Sequence, residues 1–184
     1  MQSPVNARAF RNALGLFASG ISVVATDTGA QIQAMTASAV SSLSLDPPLV
    51  LFCPARLSRL SRHLDAAHSF SINFLREDQQ ALSSYFAGAW KESPAPPYRF
   101  VDYGGVPRLE GALTSLACSK ERVVDGGDHL IVIGRVIAIH RGVLPHRPLL
   151  FFGGAYRALS EQAGITAPDL VTTHDEPPHV FYAD

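Results

Sequence analysis

The stretch ALTSLACSKERVVDGGDHLIVIGRVIAIH, residues 112–140, decides the fold class. Two long runs rich in apolar and β-branched residues, 112–124 and 129–140, flank Asp125-Gly126-Gly127-Asp128. A short Gly-rich turn between two such runs signals a β-hairpin, because tight hairpin turns need dihedrals that glycine adopts without strain. Residues 130–133 are apolar at every position, so that segment reads as a strand covered on both faces.

Working outward, residues 21–26 alternate and carry β-branched side chains, 27–30 form a turn signal, and 31–36 return as a second strand. Residues 49–53 are apolar on both sides and read as a central strand closed by Pro54; 70–75 alternate as a half-buried strand; 149–152 precede Gly153-Gly154 as a last strand. Helical spacing predicts helices over 7–18, with Phe10, Leu14 and Phe17 on one face, over 58–67 from a Ser58 N-cap, and over 77–87, stopped by Gly88. Residues 155–163 read as a short helix, and 90–107 as a loop rich in proline and glycine. Residues 38–45 are small and hydroxyl-rich, and Asp46-Pro47-Pro48 breaks them. Six or seven strands joined mostly by short turns predict antiparallel pairing. A closed or partly closed barrel is the natural solution, because closure removes exposed edges.

The chain has 184 residues, and one domain over 1–164 with a weakly structured tail over 165–184 fits that length. Charged residues make up 17% of it, against about 25% in an average soluble domain, while apolar content is an ordinary 47%. Such a thin charged surface arises either by chance or because part of it is covered by another subunit. A net charge of -1 argues against a nucleic-acid binder. No apolar run reaches the roughly 20 residues that span a membrane. Arg8 and Arg11 ahead of residues 13–18 loosely mimic a secretory signal, but Gly20 and Ser22 interrupt the run, and a cytoplasmic protein is expected. Cys53 and Cys118 sit in apolar surroundings and read as buried small hydrophobes.

Familiar chemical motifs are missing. There is no dinucleotide-binding or P-loop glycine pattern, no zinc-protease helix and no nucleophile elbow. The seven histidines form no convincing metal cluster, so no metal is expected. Local motifs alone stop at a β-barrel domain with a Gly-rich hairpin turn.

An ordered set of segments goes further. Residues 17–26 (FASGISVVAT), 35–38 (MTAS), 42–50 (SLSLDPPLV), 70–75 (FSINFL), 127–129 (GDH) and 148–152 (PLLFF) together resemble the flavin reductase family with the FMN-binding split-barrel fold. Its members are small NAD(P)H-dependent partners of two-component flavin monooxygenases. The resemblance implies a mainly β protein: a six-stranded antiparallel Greek-key split barrel with a few short flanking helices. It also implies a homodimer, FMN or FAD as flavin, NADH or NADPH as reductant, and a monooxygenase receiving reduced flavin. Sibling activities on the same fold reduce a corrinoid or ferric iron. A flavin-binding sensor module and a barrel carrier for an apolar ligand are the non-enzymatic alternatives.

The resemblance places the flavin against Thr36, Ala37, Ser38, Cys53, Ala55, Ser58, Arg59, Phe86 and Gly88. It puts His129 at the nicotinamide as a positioning group, with Tyr156 helping to enclose the site. Thr36-Ala37-Ser38 is small enough for backbone to approach a planar ring; read alone, it is equally a strand end packed under a helix. Ser58 would start a helix whose free N–H groups hold phosphate, with Arg56 and Arg59 adding charge; read alone, it is an ordinary cap. Phe86 is equally a core residue, and Asp128 a turn stabiliser. Leu60 departs from the family pattern, which usually has threonine there; Ser61 is the neighbouring hydroxyl that would substitute.

Overall fold

The structure is a computed structural model and describes residues 5–143 and 147–160. In chain order its elements are α1 (Ala7–Leu14), β1 (Ser19–Gly20), β2 (Ser22–Asp27), β3 (Ile32–Ala37), β4 (Val40–Leu45), β5 (Pro48–Phe52) and β6 (Ser69–Phe74). There follow α2 (Gln80–Phe86), β7 (Phe100–Tyr103), β8 (Val106–Leu109), β9 (Thr114–Gly126), β10 (His129–Arg141), β11 (Leu150–Phe152) and β12 (Ala155–Arg157).

The expected hairpin is β9–β10, paired antiparallel from His129↔Gly126 to Arg141↔Thr114. Gly127 and Asp128 form its two-residue turn. Gly127 has φ +83° and Asp128 does not enter the positive region, the pattern of a II′ turn with glycine first. Around this hairpin runs one antiparallel sheet in the order β3-β2-β6-β9-β10-β5-β4.

Its two edges, β3 and β4, are consecutive in sequence and joined only by Ser38 and Ala39. A flat sheet of seven strands would hold its edges about 29 Å apart, at about 4.8 Å per step. Three peptide steps reach at most about 11 Å. The sheet must therefore curl until its edges nearly meet. Counting β3 and β4 as one bent strand gives the six-stranded barrel that was expected.

The barrel interior holds Val24, Val50, Phe52, Phe70, Ile72, Cys118 and Val132, with Leu60 and Leu64 plugging one end. Strand alternation sends Val23 the other way, into a second cluster with Ile21, Leu75, Leu82, Leu109 and Leu149. Both valines are fully buried because β2 is covered on both faces. On β6, Ser71 and Asn73 point outward but are also buried. The β7–β8 hairpin satisfies them: Ser71 Oγ donates to Pro107 O at 2.6 Å, and Leu109 N donates to Asn73 Oδ1 at 2.9 Å.

Several expectations needed correction. Residues 90–107 are not all loop, since β7 lies there and β8 begins there. Proline is tolerated in β8 because its only partner strand is β7. The hydroxyl-rich run forms edge strand β4. Residues 155–157 form a strand, β12, paired back onto β11 across the Gly153-Gly154 turn. The 58–67 helix is only a single 3₁₀ turn at Ser61–His63, because Leu60 and Leu64 are drawn into the barrel end. Helix α1 ends at Leu14 and buries none of its residues; Phe10 and Leu14 are more than half exposed. Cys118 is fully buried, but Cys53 is only half-buried. The expected tail, 165–184, lies outside the described residues.

Candidate functional site

The crossover that closes the barrel begins a continuous backbone rim. Cys53 N donates to Ala39 O at 3.0 Å, which sets the end of β5 beside Ser38 and Ala39. Leu130 N donates to Pro54 O at 3.0 Å, and Ala55 pairs with His129 in an antiparallel bridge. Ser38, Cys53, Ala55 and His129 are thus brought into one line by main-chain bonds. Ser38, Ala39, Ala55 and His129 are exposed there. Except for His129, every side chain on this line is small.

The loop after Ala55 folds on itself. Ser61 N donates to Ser58 Oγ at 3.1 Å, an N-cap-like bond without a full helix behind it. Ser61 Oγ donates to Ala55 O at 2.8 Å and lies 2.8 Å from Ser58 Oγ. Ser61 gives its one hydroxyl hydrogen to Ala55 O, so Ser58 is the donor between the two serines and both hydroxyls are committed to the loop. Arg59, exposed, is the group left facing outward. Leu60, where the family pattern has threonine, is 1% exposed and is core.

Thr36, Ser83 and Tyr156 meet beside this rim. Thr36 Oγ1 donates to Ser83 O at 2.6 Å, and Tyr156 OH lies 2.9 Å from Ser83 Oγ. Ala37, next on β3, is buried. Phe86 is half-buried among Tyr85, Tyr98 and Phe100, a packing role. Gly88 ends α2 with φ +73°, its N–H bonded to Tyr85 O. Sequence reasoning missed Ser83; no local signal marks a serine whose partners lie 47 and 73 positions away.

At the turn, Asp128 Oδ1 lies 2.8 Å from His129 Nδ1. That bond holds the Asp128 carboxyl below the ordinary carboxylate range, helped by the charges of His129 and of Arg11 on α1. A carboxylate only accepts, so Nδ1 carries the hydrogen and Nε2 is left for a ligand. Asp125 is also held low, first by the Gly127 N–H and then by Arg56.

The donor set fits a flavin. Small side chains along an exposed backbone rim leave room for a planar ring, and the exposed Arg59 guanidinium next to Ser58 suits a phosphate. Among the described residues no cluster of metal-ligating side chains occurs.

A flavin reductase-like domain model matches residues 14–160. The chain is 41% identical over 151 residues to the 4-hydroxyphenylacetate 3-monooxygenase reductase component of Thermus thermophilus, covering 82% of this chain and 95% of that one. It is 39% identical over 158 residues to the NADH-dependent FMN reductase SmoA of Agrobacterium fabrum, covering 85% and 88%. The structure superposes on flavin reductase PheA2 with a TM-score of 0.79 at 34% identity, over 85% of this chain and all of the other. A barrel closed at Ser38-Ala39, the rim it organises and these likenesses lead to one conclusion: the chain belongs to the flavin reductase-like domain family.

Proposed function

We propose that the protein is an NAD(P)H-dependent flavin reductase that passes reduced flavin, FMN or FAD, to a partner monooxygenase. The observation that carries this reading is the rim from Ser38 to His129, which sets an edge of small residues beside a histidine on the hairpin turn. When both are bound, nicotinamide and flavin supply the hydride chemistry themselves. The protein's part is alignment, which alone lowers barriers substantially.

Ser58 and Arg59 hold the flavin phosphate. Thr36, Ala37, Ser38, Cys53 and Ala55 present close backbone to the ring, while Phe86 and Gly88 fix the end of α2 nearby. His129, with Nδ1 tied to Asp128, offers Nε2 to the nicotinamide carboxamide, and Tyr156 closes the far side. The reaction uses no covalent nucleophile.

The working unit in this reading is a cytoplasmic homodimer. An apolar groove of about 310 Å³, lined by Val40, Leu45, Leu49, Leu116, Val136 and Ile139, starts two residues beyond Ser38. Leu45 and Ile139 are more than half exposed. A second copy covering this face would account for the thin surface charge and would wall the flavin site. Among the described residues no helix is long and apolar enough to cross a membrane.

Steady-state oxidation of NADH and NADPH, each with FMN, with FAD and without flavin, tests the proposal. Turnover that depends on added flavin is the expected result. A protein that holds flavin tightly but does not turn over would overturn it.

A further inference from the structure

We propose that Arg56 is a positioning residue for the nicotinamide, acting through the turn that carries His129, and is not a flavin-phosphate ligand. This rests on the reductase reading above. By sequence position Arg56 looks like Arg59: both are cations on the loop that carries Ser58. The geometry separates them.

The Arg56 guanidinium is tied to the hairpin turn through Nε and Nη2. Its Nε and Nη2 donate to Gly127 O at 3.1 and 3.0 Å, and Nη2 donates to Asp125 Oδ2 at 2.6 Å. The Arg56 backbone N–H donates to Asp128 O at 2.9 Å. The other Asp125 oxygen accepts from Gly127 N at 2.9 Å. Four hydrogen bonds thus run from one residue to Asp125, Gly127 and Asp128 of the turn before His129, and the neighbouring Ala55 pairs with His129 itself. Arg59 is exposed and makes no hydrogen bond or ion pair among the described residues, so it is the cation left for a phosphate.

A two-residue turn at the end of a long hairpin has little packing of its own. Nothing lies within 4 Å of where a Gly127 side chain would begin. The planar guanidinium fork fixes the Gly127 carbonyl and the Asp125 carboxylate together, a geometry a point charge does not reproduce. The clamp therefore sets the His129 ring relative to the flavin edge.

The test compares wild type, Arg56→Ala, Arg56→Lys and Asp125→Asn in steady-state assays with NADH and FMN. Arg56→Ala is expected to raise the KM for NADH about tenfold, with kcat and the KM for FMN within about twofold. Arg56→Lys keeps the charge but loses the fork and should fall between. Asp125→Asn should shift the same constant in the same direction. If the KM for FMN rises and that for NADH does not, Arg56 is a phosphate ligand and the proposal fails. It fails also if neither constant moves. If Arg56→Ala does not fold, Arg56→Lys and Asp125→Asn decide by the same criterion. A wild type that oxidises no nicotinamide with either flavin would instead remove the reductase reading, whatever the variants do.

Discussion

The phenolic oxygen of Tyr156, on the last described strand, lies 2.9 Å from Oγ of Ser83, which is fully buried in α2. This bond ties the β11–β12 hairpin to the helix that also receives Thr36. Tyr156→Phe keeps the ring against Phe151 but leaves Ser83 Oγ without that partner. A lost hydrogen bond at a buried group costs about 1–3 kcal/mol. At about 2–4 °C per kcal/mol in a chain of this size, a fall in Tm of several degrees is expected. Thermal unfolding without flavin reads it; an unchanged Tm would show that the bond contributes nothing.

Among the described glycines, Gly134 leaves the least room for a side chain. A Cβ there would sit 2.4 Å from Phe70 Cζ and 3.1 Å from Cys118 Cβ, and both neighbours are buried. Phe70 is itself buried and packed on Phe52, with ring centroids 5.0 Å apart. Gly134→Ala should destabilise by about 1–3 kcal/mol, measured by urea unfolding. A variant as stable as wild type would mean that the barrel relaxes more than its packing suggests.

The two thiols should report the flavin rim chemically. Burial pushes the Cys118 thiol up to about 12, so it stays protonated and unreactive at neutral pH. Cys53 is half-buried, and its thiol is raised by burial as well. Slow alkylation at Cys53 alone is expected in the native protein, and FMN should protect it. Peptide mass spectrometry after iodoacetamide reads the result; labelling at Cys53 that ignores FMN would move the flavin away from this strand end.

Removal of the turn histidine should act on the nicotinamide. His129→Ala is expected to raise the KM for NADH about tenfold, with a smaller change in the KM for FMN. Unaltered NADH kinetics would end the assignment of this residue.

Acid should release the turn only late. Asp125 and Asp128 are both held below their ordinary carboxylate values in the folded chain. Their stabilising contribution is complete above the ordinary value of about 3.9 and is lost as pH falls through the lower folded values. Amide exchange at Gly127 should therefore keep constant protection from pH 7 down to about 4.5, once intrinsic rates are divided out. Loss of protection already between pH 7 and 5 would show that these carboxylates do not hold the turn.

An acid in the groove should separate the subunits of the proposed dimer. Ile139→Asp puts a charge on an exposed wall of the groove, where desolvation would be costly. Light scattering at micromolar concentration should give a dimer for wild type and a monomer for the variant. A monomeric wild type would remove the dimer.

The hairpin was legible because periodicity and turn chemistry agree over residues 112–140, and both are local. The β7–β8 hairpin was hidden because its prolines and glycines outweigh four-residue strands, and its purpose, covering Ser71 and Asn73, is visible only in three dimensions. The 58–67 helix failed for the same reason: Leu60 and Leu64 answer to the barrel interior and not to helical spacing. At the site, the resemblance named residues that the backbone lines up, such as Ser38, Cys53, Ala55 and His129. Asp125 and Ser83 escaped it, and Arg56 reads there only as charge for a phosphate, because their meaning lies in partners distant along the chain.

The Ser38-Ala39 crossover leaves the barrel no slack. Two residues span a seam that any insertion would widen, and the same two residues border the proposed flavin edge. Shape variation at this end of the protein is therefore confined to the parts that can change length without reopening the seam: the 55–61 loop, the Gly153-Gly154 turn and α1. If relatives of this chain accept different flavins, the difference should be sought there, and the seam should keep its length.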